Sequence, residues 1–176
     1  MRQYTGRKEG NRVIDSYIRQ YGRRLFGLCM ILCGDSFEAE DLYQETWLKV
    51  VKNISRYDPA KEFEPWLTKI CVNTYRNTLR RIARSPMLHF RDTREKEELL
   101  HSVPAPEKKD YELLYEAVRN LPEKLRLTVI LFYFEDMDIQ SAANVLGIPP
   151  GTVKSRLNRA RNVLKEVLSD ETDLRF

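Results

Sequence analysis

The sequence predicts an all-α protein of two small helical domains, an N-terminal helical bundle and a C-terminal helix-turn-helix domain, joined by a flexible linker. Three observations predict it. Apolar residues recur at helical spacing through residues 11–82 and again through 111–167. Between Arg84 and Lys109 that periodicity fails, and Ser85-Pro86 and Pro104-Ala-Pro106 punctuate the break. Near the C-terminus a short apolar stripe, a glycine and a proline mark two helices separated by one tight turn. The boundaries that follow are 1–84, 85–108 and 109–176.

Taken in order, Ile14, Tyr17, Ile18, Tyr21, Leu25, Leu28 and Leu32 describe an amphipathic helix from about Asn11 to Cys33, ending at Gly34. Asp35, with Glu38 three residues on, resembles a capping box, and Glu40 and Asp41 add negative charge near the positive helix end. The helix so opened, Ser36 to Asn53, has a broad apolar face of Ala39, Leu42, Tyr43, Thr46, Trp47, Val50, Val51 and Ile54. Asp41, Gln44, Glu45 and Leu48 therefore look outward. Asp58-Pro59 breaks the helical pattern, and Pro65 is placed to begin the next helix. In that helix Leu67, Ile70, Cys71, Thr74, Leu79 and Ile82 are the expected inner face. Lys69, Asn73, Arg76, Asn77 and Arg80 line the other, beside a loop carrying Arg56, Tyr57 and Phe63. A donor-rich stripe next to aromatic rings suits a phosphodiester backbone with unstacked bases.

After the linker, residues 111–120 and 122–134 read as two helices meeting at Leu121-Pro122. Asp138 N-caps a short helix with Ile139, Ala142, Ala143 and Leu146 on one side, and Gly147 supplies the turn. Pro150 starts the last helix, whose buried stripe is Val153, Leu157, Ala160, Leu164 and Val167. Thr152, Lys154, Ser155, Asn158, Arg159 and Asn162 are left on the outward face, with the donors that phosphates and base edges accept.

With 42% hydrophobic and 32% charged residues, the composition is that of a soluble globular chain. No apolar run approaches a membrane span, and the basic N-terminus lacks a following signal-type segment, so membrane insertion is not expected and a cytoplasmic location is. Cys29, Cys33 and Cys71 lie on apolar helical faces, which suits buried thiols, while His89 and His101 fall in the polar linker without a ligand-spaced partner. No metal or other cofactor is expected. The net charge of +4 conceals a segregation by segment. Residues 66–94 carry seven Lys or Arg against one Asp, whereas residues 35–64 carry eight acidic residues against four basic ones. One face for nucleic acid and another for a basic protein partner would produce that pattern.

Four stretches carry a resemblance, in one order and spacing: Ala39-Glu-Asp-Leu-Tyr-Gln-Glu-Thr-Trp, Trp66-Leu-Thr-Lys-Ile-Cys-Val-Asn-Thr, Leu121-Pro-Glu-Lys-Leu-Arg, and Leu146-Gly-Ile-Pro-Pro-Gly-Thr-Val-Lys-Ser-Arg-Leu. Together they resemble the extracytoplasmic-function sigma factors, the small two-domain members of the bacterial sigma superfamily. The resemblance implies an RNA polymerase subunit and stress-response regulator rather than an enzyme. It implies that the N-terminal domain melts and reads the minus-ten promoter element while the C-terminal domain reads the minus-thirty-five element. It also implies that Asp41, Gln44, Glu45 and Leu48 dock on the basic coiled coil of the largest subunit of core RNA polymerase. Asn73, with the Arg56 to Phe63 loop, falls at the position that reads the melted non-template strand; Lys154, Ser155, Asn158 and Arg159 fall on the duplex-reading face. An anti-sigma factor would be a further partner. The sequence departs from the family's habit at Pro59 to Pro65, where a basic-Gly-acidic loop is common, and at Asn77, where Asp is common.

Two other classes compete on the residues alone. A stand-alone helix-turn-helix regulator would bind duplex DNA without needing an acidic patch beside a basic single-strand stripe. A recombinase or nuclease needs clustered carboxylates or an activated nucleophile, and Asp41 with Glu45 is no more than two acids four apart on a helix face.

Overall fold

The computed structural model describes residues 3–84 and 109–173, and the regular elements among them are helical. The first unit holds α1 (Gln3–Cys33), α2 (Ser36–Asn53), a 3-10 turn at Ile54–Arg56 and α3 (Phe63–Arg84). The second holds α4 (Lys109–Asn120), α5 (Glu123–Val129), a π-turn at Ile130–Phe134, α6 (Ile139–Leu146) and α7 (Pro150–Asp173). The expected linker and His89 and His101 lie outside the described residues.

α1 begins well before Asn11, because Gly6 and Gly10 weaken helix propensity without breaking the helix and no proline intervenes. It ends at Gly34, whose φ of 74° is the left-handed conformation that favours glycine. The turn delivers Asp35, whose carboxylate accepts the Glu38 N–H at 2.9 Å and so caps α2. α1, α2 and α3 pack on one another around Leu25, Leu28, Cys29, Leu42, Val50, Leu67 and Cys71. The buried Cys29 and Cys71 thiols lie 3.8 Å apart, and that contact together with burial pushes the Cys29 thiol up, so it stays protonated and unreactive.

In the second unit α5, α6 and α4 all pack against α7, burying Leu127, Ile130, Ala142, Ala143, Val153, Leu157 and Ala160. The tight turn forms as its residues dictate. Asp138 accepts the Ser141 N–H at 2.7 Å, Gly147 has φ 67°, and Pro150 opens α7. The hydrogen bond from Ser141 holds the Asp138 carboxyl below the usual carboxylate range.

Several expected faces shift. Val51 is half exposed, on the outward side of α2 rather than in the core. Val167 and Ile82, toward the C-terminal ends of α7 and α3, are also exposed among the described residues. α3 starts at Phe63, two residues before Pro65, since Phe63 is drawn inward to stack on Tyr17 with ring centroids 3.9 Å apart. The long apolar stretch before Phe134 does not stay α-helical; its last five residues widen into the π-turn.

The largest departure is a second buried stripe on α3. Thr68, Val72 and Tyr75, spaced by four and three residues, are buried alongside the expected Leu67, Cys71 and Thr74. α3 packs against α6, and the apolar core continues from one unit into the other. Leu28 is 2% exposed at the centre of the first unit. Leu28→Ala should therefore destabilise the protein by about 2–5 kcal/mol, read as a lower urea midpoint with an unchanged slope.

Candidate functional site

Three surfaces and one joint carry the candidate function. On α2, Asp41, Gln44 and Leu48 are exposed, Leu48 by 59%, and Glu45 is half-buried in an ion pair with Lys49 at 2.9 Å. Lys49 in turn donates to the Thr74 hydroxyl, so Glu45 is fixed to α3 rather than free to swing. Sequence reasoning missed the ends of this stripe. Phe37, 74% exposed, and the half-exposed Val51 continue it in both directions. Phe37, Asp41, Gln44, Leu48 and Val51 follow a repeat of four, three, four and three residues; tracing the outward face instead of the inward one would have found them. Acids flanked by bare apolar side chains form a surface suited to a basic partner helix with its own apolar residues.

On α3, Lys69, Asn73, Asn77 and Arg80 are exposed together as expected, and Arg80 approaches the Asn77 side-chain oxygen at 3.5 Å. Arg76 is half-buried, its guanidinium 3.9 Å from Glu123 of the second unit. Arg56 is exposed on the 3-10 turn. The two aromatic residues of the loop are placed differently from expectation. Phe63 is only 4% exposed, stacked on Tyr17 and flanked by Tyr21, Tyr57 and Trp66. Tyr57 lies edge-on to Tyr17 and Phe63, and its hydroxyl donates to the Lys61 carbonyl. Phe63 thus anchors the loop and is not available to stack on a base. Tyr57, half-buried, keeps one edge at the surface.

On α7, Lys154, Ser155, Asn158, Arg159 and Asn162 are exposed along one face, and Thr152 is half-buried, its carbonyl accepting the Ser155 hydroxyl at 3.0 Å. Val153, Leu157 and Ala160 pin the opposite side, so the direction of the exposed face is set by the core. Arg161 leaves that face: its Nε donates to the Tyr133 hydroxyl at 2.8 Å and its guanidinium lies 6.0 Å from the ring centroid.

The joint lies between the units. Arg24 of α1 makes a 2.6 Å contact with Glu64 of α3 and a 3.5 Å contact with Glu135, which follows the π-turn; it also donates to the Glu135 carbonyl at 3.2 Å. Glu135 is 7% exposed. Burial lifts its carboxyl to about 7, with Arg24 pulling it down and Glu64 pushing it up. At a separate contact between the units, Arg126 of α5 donates to the Tyr75 hydroxyl at 2.7 Å and, within its own unit, to the Arg119 carbonyl at 2.8 Å. Burial raises the Tyr75 hydroxyl despite Arg126, keeping it neutral.

A helical chain whose last helix follows a tight turn and exposes a basic face is a helix-turn-helix DNA-binding protein. Residues 17–85 match sigma-70 region 2 and residues 111–164 match sigma-70 region 4. The chain is 31% identical over 137 residues to the ECF RNA polymerase sigma factor EcfG of Rhodopseudomonas palustris, covering 78% of this chain and 75% of that one. It is also 31% identical over 164 residues to the ECF sigma factor SigE of Mycolicibacterium smegmatis, covering 88% of this chain and 61% of that longer relative. Its fold is similar to that of the sigma factor RpoE of Bartonella quintana, solved with the anti-sigma factor NepR: the TM-score is 0.68 at 23% identity, covering 88% and 96% of the two chains. The chain belongs to the extracytoplasmic-function sigma factors of the sigma-70 family.

Two roles are expected along the α7 face. Asn158 and Arg159 lie in the first turns, where the motif enters the major groove, and Lys165 lies farther along. Asn158→Ala and Arg159→Ala should relax base preference by about 1–3 kcal/mol per base pair, whereas Lys165→Ala should weaken all sequences alike and flatten the salt dependence. Binding of the polymerase complex to single-base variants of the minus-thirty-five element at several salt concentrations measures both.

Proposed function

We propose that this sigma factor docks on core RNA polymerase through the outward stripe of α2 and directs promoter-specific initiation, with its two units reading two separate promoter elements. Residues 1–84 would bind and melt the minus-ten element, and residues 109–176 would read the minus-thirty-five element, with 85–108 joining them. The observation that carries this reading is the placement of Asp41, Gln44 and Leu48 on one exposed helix and of Lys69, Asn73, Asn77 and Arg80 on the next. A dimeric repressor has no use for the first surface next to the second.

The division of labour follows from charge. The α2 stripe repels phosphate and attracts a basic coiled coil, while Phe37, Leu48 and Val51 add apolar area around the acids. The α3 stripe offers cationic and amide donors to a displaced single strand, and Asn73 and Asn77 have donor and acceptor on one group for a base edge. With Phe63 committed to the core, stacking on a base falls to Tyr57 at the loop surface. The chain would act without chemistry of its own, in the cytoplasm alongside polymerase. No described helix is long and apolar enough to cross a membrane. An anti-sigma factor would be its natural antagonist, as NepR is paired with RpoE in the solved complex.

Purified protein added to core polymerase should give run-off transcripts from a cognate promoter. Reversal of both acids, Asp41→Lys with Glu45→Lys, should abolish them by weakening core binding at least tenfold while the circular dichroism melt stays near that of the parent. Undiminished core binding by the folded double variant would sink the α2 assignment. Normal permanganate reactivity of minus-ten thymines in an Asn73→Ala complex would sink the α3 assignment.

A further inference from the structure

α7 carries one exposed arginine that lies off the expected base-reading face. Among the described residues no carboxylate comes within ion-pair distance of Arg161. Its Nε instead donates to the Tyr133 hydroxyl at 2.8 Å, and its guanidinium lies 6.0 Å from the centroid of that ring. Tyr133 is itself half exposed, so the pair is a weak staple between the π-turn and α7. The ring is nevertheless braced, because Phe132 meets it edge-on with centroids 5.0 Å apart. The hydrogen bond engages Nε alone, and within the described residues it leaves Nη1 and Nη2 for another acceptor. At 3.6 residues per turn, Lys154, Arg161 and Lys165 fall within about 40° of one another, a line of three cations about 16 Å long at the edge of the Ser155, Asn158, Arg159 and Asn162 face. A hollow beside Tyr133 is lined by Phe132, Asp136, Met137, Asp138 and Ile139 with no residue of α7, and its two acids repel an anion. An anion would therefore meet the guanidinium from the α7 side.

We propose that Arg161 is a clamp on a DNA phosphate flanking the minus-thirty-five element, and that Tyr133 is the positioning residue that holds its guanidinium ready; the inference rests on the reading of α7 as the helix that enters the major groove. A helix seated in the groove turns its flanks toward the phosphates of the two strands, and contacts there fix register without reading sequence. Lys165 offers such a phosphate a point charge. Arg161 offers a planar fork, whose worth depends on how it is aimed. With Nε bound to the Tyr133 hydroxyl and the ring held by Phe132, the plane of the guanidinium is set before DNA arrives. A long side chain that would otherwise lose its rotamer freedom on binding has lost much of it on folding, so the contact is made at less entropic cost. Tyr133 thus acts through Arg161, from a turn 28 residues away in the chain.

Binding of the full chain, in complex with core polymerase, to a duplex carrying the minus-thirty-five element at several salt concentrations tests both parts. Arg161→Ala should weaken binding alike on every single-base variant and lower the slope of log affinity against log salt by about 0.9, the signature of one lost phosphate contact. Tyr133→Phe keeps the ring and the charge but removes the acceptor, so it should weaken binding about threefold to tenfold with the slope unchanged. In the Arg161→Ala background, Tyr133→Phe should cost nothing further, because the two residues act as one. Arg161→Lys should restore the slope but not the affinity, and it takes the place of Arg161→Ala if that variant loses helical dichroism. Parental affinity and slope in a folded Arg161→Ala complex would overturn the clamp. A Tyr133→Phe loss of equal size with and without Arg161 would overturn the positioning role and leave Tyr133 a structural residue of the turn. A parent complex that binds the element no better than a scrambled duplex would overturn the major-groove reading of α7 and this inference with it, and it is told apart from the other two failures because in those the parent still discriminates.

Discussion

The structure depends on how one helix divides its circumference. α3 presents Leu67, Cys71 and Thr74 to the first unit, Thr68, Val72 and Tyr75 toward the second, and Lys69, Asn73, Asn77 and Arg80 to solvent. Three demands on one cylinder leave little slack: a residue turned by a hundred degrees leaves one task for another. The arrangement couples the candidate DNA stripe to the state of the docking face, since Arg76 stands where the two meet and its guanidinium already faces Glu123.

The loop before α3 shows the same economy. Tyr17, Tyr21, Tyr57, Phe63 and Trp66 form one aromatic cluster around the start of the helix. Offset and edge-on ring pairs each add about 0.5–1.5 kcal/mol beyond area burial, enough to hold a short loop whose backbone makes few hydrogen bonds. Asp58 supports it by accepting the Ala60 N–H at 3.1 Å. A loop built in this way is already shaped, so a ligand received there would cost little ordering entropy. Phe63 contributes by being unavailable to the ligand.

Legibility in the sequence tracked how local the cause was. The helix-turn-helix could be read almost residue by residue, because Asp138, Gly147 and Pro150 act through their own backbone conformations and hydrogen bonds to near neighbours. The outward acids of α2 were legible for the same reason: a helix has one phase, and Ala39, Leu42, Thr46 and Trp47 fix it. What escaped was nonlocal. Thr68, Val72 and Tyr75 have the polarity of an ordinary mixed face, and only the arrival of a helix from more than sixty residues away buries them. Val51 and Val167 carry apolar side chains on faces that nothing in the described chain covers, so hydrophobicity alone misplaced them. Phe63 and Tyr57 are aromatic in either setting, and composition does not say whether a ring stacks on protein or on a base.

The joint between the units could not be inferred from pattern at all, and its chemistry sets how little it adds to the contact. Glu135 reaches Arg24 because the chain does not close the helix at Phe134 in the usual way. The Glu135 N–H reaches back to the Ile130 carbonyl, Met137 reaches Leu131, and Asp136 takes φ 52°, an uncommon value for a residue other than glycine. The widened turn places the carboxylate against the first unit. An apolar side chain there would bury area and hold the units together at every pH, whereas a carboxylate must lose its water and share a cation that already has a partner. The desolvation cost offsets much of the apolar contact around it. The ion pair thus contributes little net stability, and the apolar contact around it holds the units together.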